Sequence, residues 1–141
     1  MRILLADPDE VSSRKLELAL VAEPSVEVIG WAGDSDDALE LAARWSADVV
    51  LLAVDFPGAR ETVERLVRQL PIAPKVLLIA GDGARDGVNG LTALRGISGF
   101  VRRTDELSHM VTLVIALVAL AGVPDGERNG TRSYSASDPS R

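Results

Sequence analysis

Short apolar runs alternate with longer segments of helical periodicity along most of the chain. Five runs have the length and composition of buried strands: residues 3–6, 26–32, 48–54, 75–80 and 99–102. The segments that follow them show apolar residues at helical spacing, and these are residues 11–22, 35–44, 60–70, 86–94 and the stretch after Thr104. Five successive strand-helix units predict a doubly wound α/β fold, with a parallel sheet covered by helices on both faces.

Local signals mark the ends of these elements. The third strand is apolar from Val49 to Val54, as expected for a central strand buried on both faces. Asp34 or Ser35 can cap the second helix, Thr104 can cap the last one, and Pro71 stops the third. We expect Trp31 and Trp45, which flank the second helix, to be packing residues, although Trp31 could also line a small pocket at a strand end.

The composition changes after Gly122. The 141 residues suit one domain with one core, and we assign residues 1–122 to it. Residues 123–141 are rich in Gly, Ser, Asp, Arg and Pro, and they hold a single aromatic residue, Tyr134. Such a segment buries too little apolar area to offset the entropy of ordering, so we predict a disordered tail or linker.

Charge and composition restrict the function. The net charge of −6 disfavours binding to nucleic acid or to an anionic membrane surface by this chain. The chain has no cysteine and one histidine, His109, which excludes disulfides and thiolate chemistry and argues against a metal site. We see no secretion signal, and the apolar stretch at residues 110–123 is too short to span a bilayer. We therefore expect a cytoplasmic location.

Three strand ends carry a resemblance to a known family. The first strand ends in Ala6-Asp7-Pro8-Asp9, the third continues into Asp55-Phe56-Pro57-Gly58, and the fifth follows Gly96-Ile97-Ser98 and ends near Arg103. This pattern resembles the receiver domain of two-component response regulators over residues 2–121. The resemblance implies a flavodoxin-like fold with strand order 2-1-3-4-5 and ligand chemistry at the carboxyl ends of the strands.

The resemblance also implies a phosphorylation site, and this chain departs from it. In the family, a carboxylate pair after the first strand binds Mg²⁺, an aspartate ending the third strand accepts the phosphoryl group, and a hydroxyl and a lysine hold its oxygens. By this resemblance Asp7 retains one carboxylate and Pro8 takes the place of the other, and Ala53 stands at the acceptor position. Ala80 stands at the hydroxyl position and Arg103 at that of the lysine. We describe the result as a degenerate phosphorylation pocket, formed by Asp7, Pro8, Ala53, Asp55, Ala80 and Arg103.

Displaced side chains offer a possible rescue of the chemistry. Asp55 could act as the acceptor, and Asp9 could act as a metal ligand. The simpler interpretation, which we favour, is that Asp55 begins the turn before Pro57 and that Asp9 caps the first helix. Arg103 could pair with Asp7 across the strand ends or remain solvated, and the sequence does not decide between these two.

The last helix is apolar on all sides, whereas a helix covering a sheet needs only one apolar stripe. We expect its surplus apolar surface to contact a second copy of the chain or a protein partner. Deep burial within the monomer is the alternative. The predicted interface residues are Met110, Leu113, Val114, Leu117 and Val118.

These observations favour a regulatory binding module over an enzyme. We expect an atypical receiver that acts by protein contact in signalling or transcriptional regulation, without aspartyl phosphorylation, metal or cofactor. The contact would involve chiefly the last helix and the neighbouring surface of the fourth strand, fourth helix and fifth strand. One alternative is a pseudo-receiver that senses a small molecule in the degenerate pocket, and another is an active receiver phosphorylated at Asp55. The resemblance further implies a possible DNA-binding domain after the linker in a longer chain.

Overall fold

The computed structural model describes residues 1–80, 90–91, 94–102 and 106–120. It contains five strands and four full-length helices in these ranges. The strands are β1 (Arg2–Ala6), β2 (Glu27–Ala32), β3 (Val49–Ala53), β4 (Lys75–Ala80) and β5 (Ile97–Arg102). The helices are α1 (Glu10–Val21), α2 (Ser35–Trp45), α3 (Ala59–Gln69) and the last helix (Leu107–Leu120).

The strands form one parallel sheet in the order β2-β1-β3-β4-β5, which confirms the predicted fold. The first connection places β2 on one side of β1, and the later connections place β3, β4 and β5 in turn on the other side. β1 and β3 are therefore neighbours in the inner part of the sheet. β3 is buried along its whole length, as its unbroken apolar sequence indicates.

Two apolar cores lie on opposite faces of the sheet. Successive residues of β3 alternate between them: Val50 and Leu52 pack beneath α2 and α3, whereas Val49 and Leu51 pack beneath α1 and the last helix. Burial on both faces holds the strand ends in fixed positions, and those ends carry the predicted site.

The ends of α2 are set by local chemistry. The Asp34 carboxylate accepts a hydrogen bond from the backbone N–H of Asp37 at 2.8 Å, so Asp34 is the cap that the sequence left open between two residues. The helix ends at Ser46, whose φ of 53° is left-handed, and the Ser46 N–H bonds to the carbonyl of Ala42.

The structure corrects two details of the sequence-based expectations. β5 begins at Ile97 instead of residue 99, with a register shift opposite the step from Val76 to Leu77. Trp31 and Trp45 are exposed instead of packed in the core, because β2 is an edge strand and Trp45 ends its helix.

Several predictions fall on residues that the structure does not describe. The predicted helix at residues 86–94 is described only at residues 90 and 91, which are helical. Thr104 and the proposed tail at 123–141 also lie outside the described residues. Within the described ranges, no helix is both long enough and apolar enough to cross a membrane.

Candidate functional site

Asp7, Ala53 and Ala80 are brought to the same edge of the sheet. Each lies at or directly after the carboxyl end of β1, β3 or β4, and these three strands are neighbours. This is the edge at which parallel α/β sheets bind ligands. The structure therefore brings to one edge three of the positions that the family resemblance assigns to one pocket.

Asp7 is a buried carboxylate held by backbone groups. Its own N–H donates to the carbonyl of Ala32 at 3.2 Å, which ties the residue to the end of β2. Its Oδ1 accepts the N–H of Asp9 at 2.9 Å. The side chain thus helps to fix the turn from β1 into α1.

Asp9 caps α1, as the simpler interpretation predicted. Its Oδ1 accepts the N–H groups of Val11 and Ser12 at 3.0 and 3.3 Å, and its Oδ2 accepts the Ser12 hydroxyl at 3.0 Å. Donors that open a helix are otherwise without intrahelical partners, and this carboxylate satisfies them. Pro8, between the two aspartates, is exposed and brings no side-chain ligand.

Ala53 ends β3 with only 1% of its surface exposed. The chain then turns, with the N–H of Val54 bonded to the carbonyl of Ile79 and the N–H of Phe56 bonded to the carbonyl of Ala53, both at 3.0 Å. Phe56 is buried, and Asp55 before it is exposed. Asp55 therefore lies in a turn anchored by the aromatic ring, as the simpler interpretation proposed.

The same turn leads into α3 through a left-handed glycine. Gly58 has a φ of 71°, and its carbonyl accepts both the N–H and the hydroxyl of Thr62, at 2.8 and 2.9 Å. Thr62 is fully buried. The Pro57-Gly58 turn is thus built into the packing beneath α3.

Small methyl side chains occupy four of the strand ends. Ala6, Ala32, Ala53 and Ala80 end β1 to β4, and all four are buried. A methyl group supplies neither a nucleophile nor an oxygen ligand. The fifth strand ends at Arg102, which is exposed and pairs in register with Ala80. Arg103 lies outside the described residues, and its pairing with Asp7 stays a prediction.

The side chains at this edge do not suit Mg²⁺, which the family resemblance implies. Mg²⁺ prefers several hard oxygen ligands in octahedral geometry. Asp7 is one carboxylate, and Pro8 and Ala53 replace the others. Across the ranges that the structure describes, no group of three or more His, Cys, Asp or Glu residues is placed to hold a metal ion.

The last helix divides the predicted interface residues into two groups. Met110, Val114 and Val118 are buried in the core against the sheet, because residues four apart form the stripe that covers it. We correct the predicted interface by assigning these three to the core. Leu117 is half-buried beside Gly99 of β5, and Leu113 is 39% exposed.

The outer face of this helix contains Thr112, Leu113, Ala116, Ala119 and Leu120, all exposed. Leu120 exposes 84% of its surface. His109 is exposed too. The sequence identified the apolar surplus of this helix, but small alanines contribute much of it.

Similar proteins share this fold and part of the sequence. The chain is 31% identical to the probable transcriptional regulatory protein TcrX of Mycobacterium tuberculosis over 127 residues, which are 86% of this chain and 51% of TcrX. It is 33% identical over 81 residues to the transcriptional regulatory protein LiaR of Bacillus subtilis, covering 56% of this chain and 38% of LiaR. The chain thus spans about half or less of the length of these relatives. No protein-family model matches it.

Solved structures agree with the architecture. The signal receiver domain of the response regulator NarL from Mycobacterium tuberculosis superposes with a TM-score of 0.70 at 26% identity, covering 84% of this chain and 95% of that domain. The receiver domain of AraT, a response regulator from Geobacillus stearothermophilus, gives a TM-score of 0.72 at 19% identity, covering 85% and 94%. Together with the sheet order and the sequence relatives, these matches place the chain in the response-regulator receiver family of two-component signalling.

Proposed function

We propose that this receiver domain signals without aspartyl phosphorylation and acts by contact with other proteins. The observation that carries the proposal is Ala53, a buried methyl group at the end of β3, where the family resemblance requires an attacking carboxylate. A methyl group cannot form an acyl phosphate. The chain is then a binding module and not an enzyme.

The neighbouring aspartates support this proposal. Asp9 accepts three hydrogen bonds in its capping role. If its carboxylate bound a metal ion instead, α1 would lose its N-terminal cap. Asp55 lies two residues beyond the strand, in a turn held by the buried Phe56. To serve as an acceptor, Asp55 would have to replace Ala53 at the strand end, which would pull the ring from its core.

The test is incubation of the purified chain with a small-molecule phosphodonor and Mg²⁺, followed by intact-protein mass spectrometry. We expect no phosphoryl mass increment under conditions that fully modify a receiver retaining its acceptor aspartate. An increment on the wild-type chain that disappears in Asp55→Asn would overturn the proposal and establish the displaced acceptor.

We assign the protein contact to the outer face of the last helix and, as its partner, to a second copy of the chain. No residue from Leu107 to Leu120 is acidic, lysine or arginine, although the whole chain carries a net charge of −6. Two equally charged copies repel each other, and the repulsion is weakest when the surfaces that face each other lack charge. The exposed Leu113 and Leu120 supply apolar area at such a surface.

Sedimentation of the wild-type chain and of Leu113→Glu tests this contact. We expect a dimer at tens of micromolar for the wild type and a folded monomer for the variant. Leu18→Glu is the matched control, because Leu18 is an exposed leucine on α1. A wild-type monomer in this range, or equal loss of dimer in both variants, would refute the assignment.

We further propose that the output of the domain is transcriptional. Two relatives are named transcriptional regulatory proteins, and this chain covers 51% and 38% of their lengths. The acidic chain is itself a poor binder of nucleic acid, so a DNA-binding partner or domain would supply that activity. Reading the gene beyond the codon for Arg141 tests this: a helix-turn-helix sequence supports it, and an enzymatic domain there contradicts it.

A further inference from the structure

A second candidate site lies at the opposite, amino edge of the sheet. The structure has a cavity of about 440 Å³ there, between the end of α2 and the segment that follows α3. The length of the strands separates this cavity from the degenerate phosphorylation pocket. Its volume is within the range of roughly 300–1,000 Å³ in which proteins bind small molecules. Of the described residues that line it, six are apolar, and the other two are Ser46 and Asp48.

The apolar wall of this cavity is exposed to water in the free chain. Ile72 exposes 86% of its surface, and Ala43 and Pro71 of the same wall are exposed too. Ala42 and Ala43 have short side chains, which leaves the space between α2 and residues 70–72 open. A ligand with apolar surface would cover Ile72 and remove this area from water, which is favourable.

Backbone hydrogen bonds fix the wall on the side of α2. The helix ends at the left-handed Ser46, whose N–H bonds to the carbonyl of Ala42, and the N–H of Ala47 bonds to the same carbonyl at 3.0 Å. Asp48 then bonds to Arg2 twice: its N–H donates to the Arg2 carbonyl at 2.9 Å, and its Oδ2 accepts the Arg2 N–H at 2.8 Å. A ligand would therefore meet a wall that needs no ordering on binding.

The facing wall, which follows α3, is restricted by two prolines. Leu70 ends α3 in an extended conformation, with φ of −94° and ψ of 138°, and is half-buried. The ring of Pro71 fixes its own φ and disfavours helical geometry at Leu70. Pro74, two residues after Ile72, is buried. Ile72 thus lies in a short segment that prolines restrict on both sides, so both walls of the cavity are preformed.

The charged groups near the cavity compensate one another. Nε of Arg2 lies 3.5 Å from the Glu27 carboxylate, and Arg44 forms an ion pair with Glu40. Arg44 and Arg68 also stand in the last turns of α2 and α3, where cations offset the partial negative charge of a helix C-terminus. A charged ligand would therefore lose hydration here without gaining an uncompensated opposite charge, whereas an uncharged ligand has no such cost.

We infer that this cavity binds a small uncharged molecule, an apolar ring that carries one hydroxyl group. The ring would lie against Leu70 and Ile72, and its hydroxyl would bond with that of Ser46, which both donates and accepts. A smaller cavity of about 360 Å³ has the ammonium group of Lys75 in its wall, so it lacks this preference for uncharged ligands.

Titration with 2-phenylethanol, followed by amide chemical shifts in ¹⁵N-labelled protein, tests the inference. We expect saturable shifts at Ala43, Ser46 and Ile72, with a dissociation constant on the order of 1 mM for a ligand of this size. The cation phenethylammonium and the anion 3-phenylpropionate have the same ring and serve as matched probes. Each is expected to bind at least about tenfold more weakly than the alcohol, because its charge loses hydration at the cavity.

Two variants with matched controls test the location of the ligand. Ala43→Leu fills the cavity from an exposed helical position and should weaken the alcohol at least about fivefold, whereas Ala116→Leu on the last helix should leave its affinity unchanged. Ile72→Ser removes apolar wall and should weaken the alcohol several-fold. Its control is Leu120→Ser, because Leu120 is equally exposed, at 84%, and lines the smaller cavity instead.

Equal affinity for the alcohol and either charged analogue would overturn the inference, as would the absence of saturable shifts at millimolar concentrations of the alcohol. Unchanged affinity in folded Ala43→Leu, or an equal loss in Ile72→Ser and Leu120→Ser, would place the ligand elsewhere and overturn it too. Because Ile72 is exposed, Ile72→Ser is expected to fold, and it keeps the inference testable if Ala43→Leu does not fold.

Discussion

Two glycines with positive φ separate two kinds of constraint at the level of single residues. Gly58, before α3, has a φ of 71°, and a Cβ added to it would be 3.6 Å from its nearest neighbour, the Glu61 side chain. Gly96, before β5, has a φ of 102°, and a Cβ would lie 2.5 Å from Cγ2 of Val67. Glycine is therefore required at position 58 by the backbone conformation alone, and at position 96 by both the backbone conformation and the packing.

Gly58→Ala and Gly96→Ala are expected to differ in stability. The first should lower the free energy of unfolding by about 1 kcal/mol, the cost of a left-handed L-residue. The second should lower it by about 2–4 kcal/mol, because overpacking against Val67 adds to the strain. Urea denaturation of both variants measures the difference. Equal losses would mean that the Val67 side chain moves aside without cost.

The roles of the two displaced aspartates can be distinguished in the same way. Asp9→Ala should lower the free energy of unfolding by about 1 kcal/mol, because it removes the cap of α1. Asp55→Ala should change it by less than about 0.5 kcal/mol, because Asp55 is exposed in a turn. Urea denaturation gives both values, and a larger loss for Asp55→Ala would show that its carboxylate has a structural partner.

The last helix shows how one element serves two surfaces. Its buried stripe of Met110, Val114 and Val118 covers the sheet, and its outer face consists of alanines, Thr112, Leu113 and Leu120. High hydrophobicity all round conceals this division in the sequence, since each apolar residue fits either surface. The contacts with the sheet decide which residues belong to the core.

Truncations on the two faces of this helix should have opposite consequences. Met110→Ala should lower the free energy of unfolding by about 2–5 kcal/mol, because it leaves a cavity in a closed core. Leu120→Ala should change it by less than about 0.5 kcal/mol when measured at monomer concentrations. Thermal and urea denaturation check both values. If Met110→Ala lowered the free energy of unfolding only slightly, Met110 would have to be assigned to the interface instead of the core.

For the whole molecule, the net charge opposes association of two copies, whereas the uncharged last helix favours it. Each copy carries a net charge of −6, so two copies repel at long range while the outer face of the last helix offers contact without charge. The strength of the proposed dimer should therefore depend on ionic strength, in a direction set by this balance.

Raising NaCl from about 0.1 M to about 1 M, which shortens the Debye length from roughly 10 Å to 3 Å, should strengthen the dimer. The expected effect is a decrease of several-fold in the dissociation constant, measured by sedimentation equilibrium, because screening removes the repulsion between copies. Leu113→Glu at each salt concentration provides the baseline. Weaker association at high salt would indicate that ion pairs, and not apolar contact, hold the copies together.

Much of the fold and part of the site were predictable from the sequence because the responsible interactions are local. The strand runs, the capping role of Asp9 and the Pro57-Gly58 turn each depend on a few adjacent residues. The exposure of Trp31 and Trp45 was not predictable, because it depends on which strand forms the edge and where α2 ends. The cavity beside Asp48 also escaped prediction, since its walls come from separate segments.

By itself, the sequence determined which residues are present at the carboxyl ends of the strands. Ala53 and Ala80 have methyl side chains in any fold, so neither side chain can supply a nucleophile or an oxygen ligand. The tertiary structure alone decided which apolar residues of the last helix are buried and which separate segments of the chain meet at the cavity that Asp48 lines. Burial and the walls of a cavity depend on neighbours distant along the chain, and only packing brings those neighbours together.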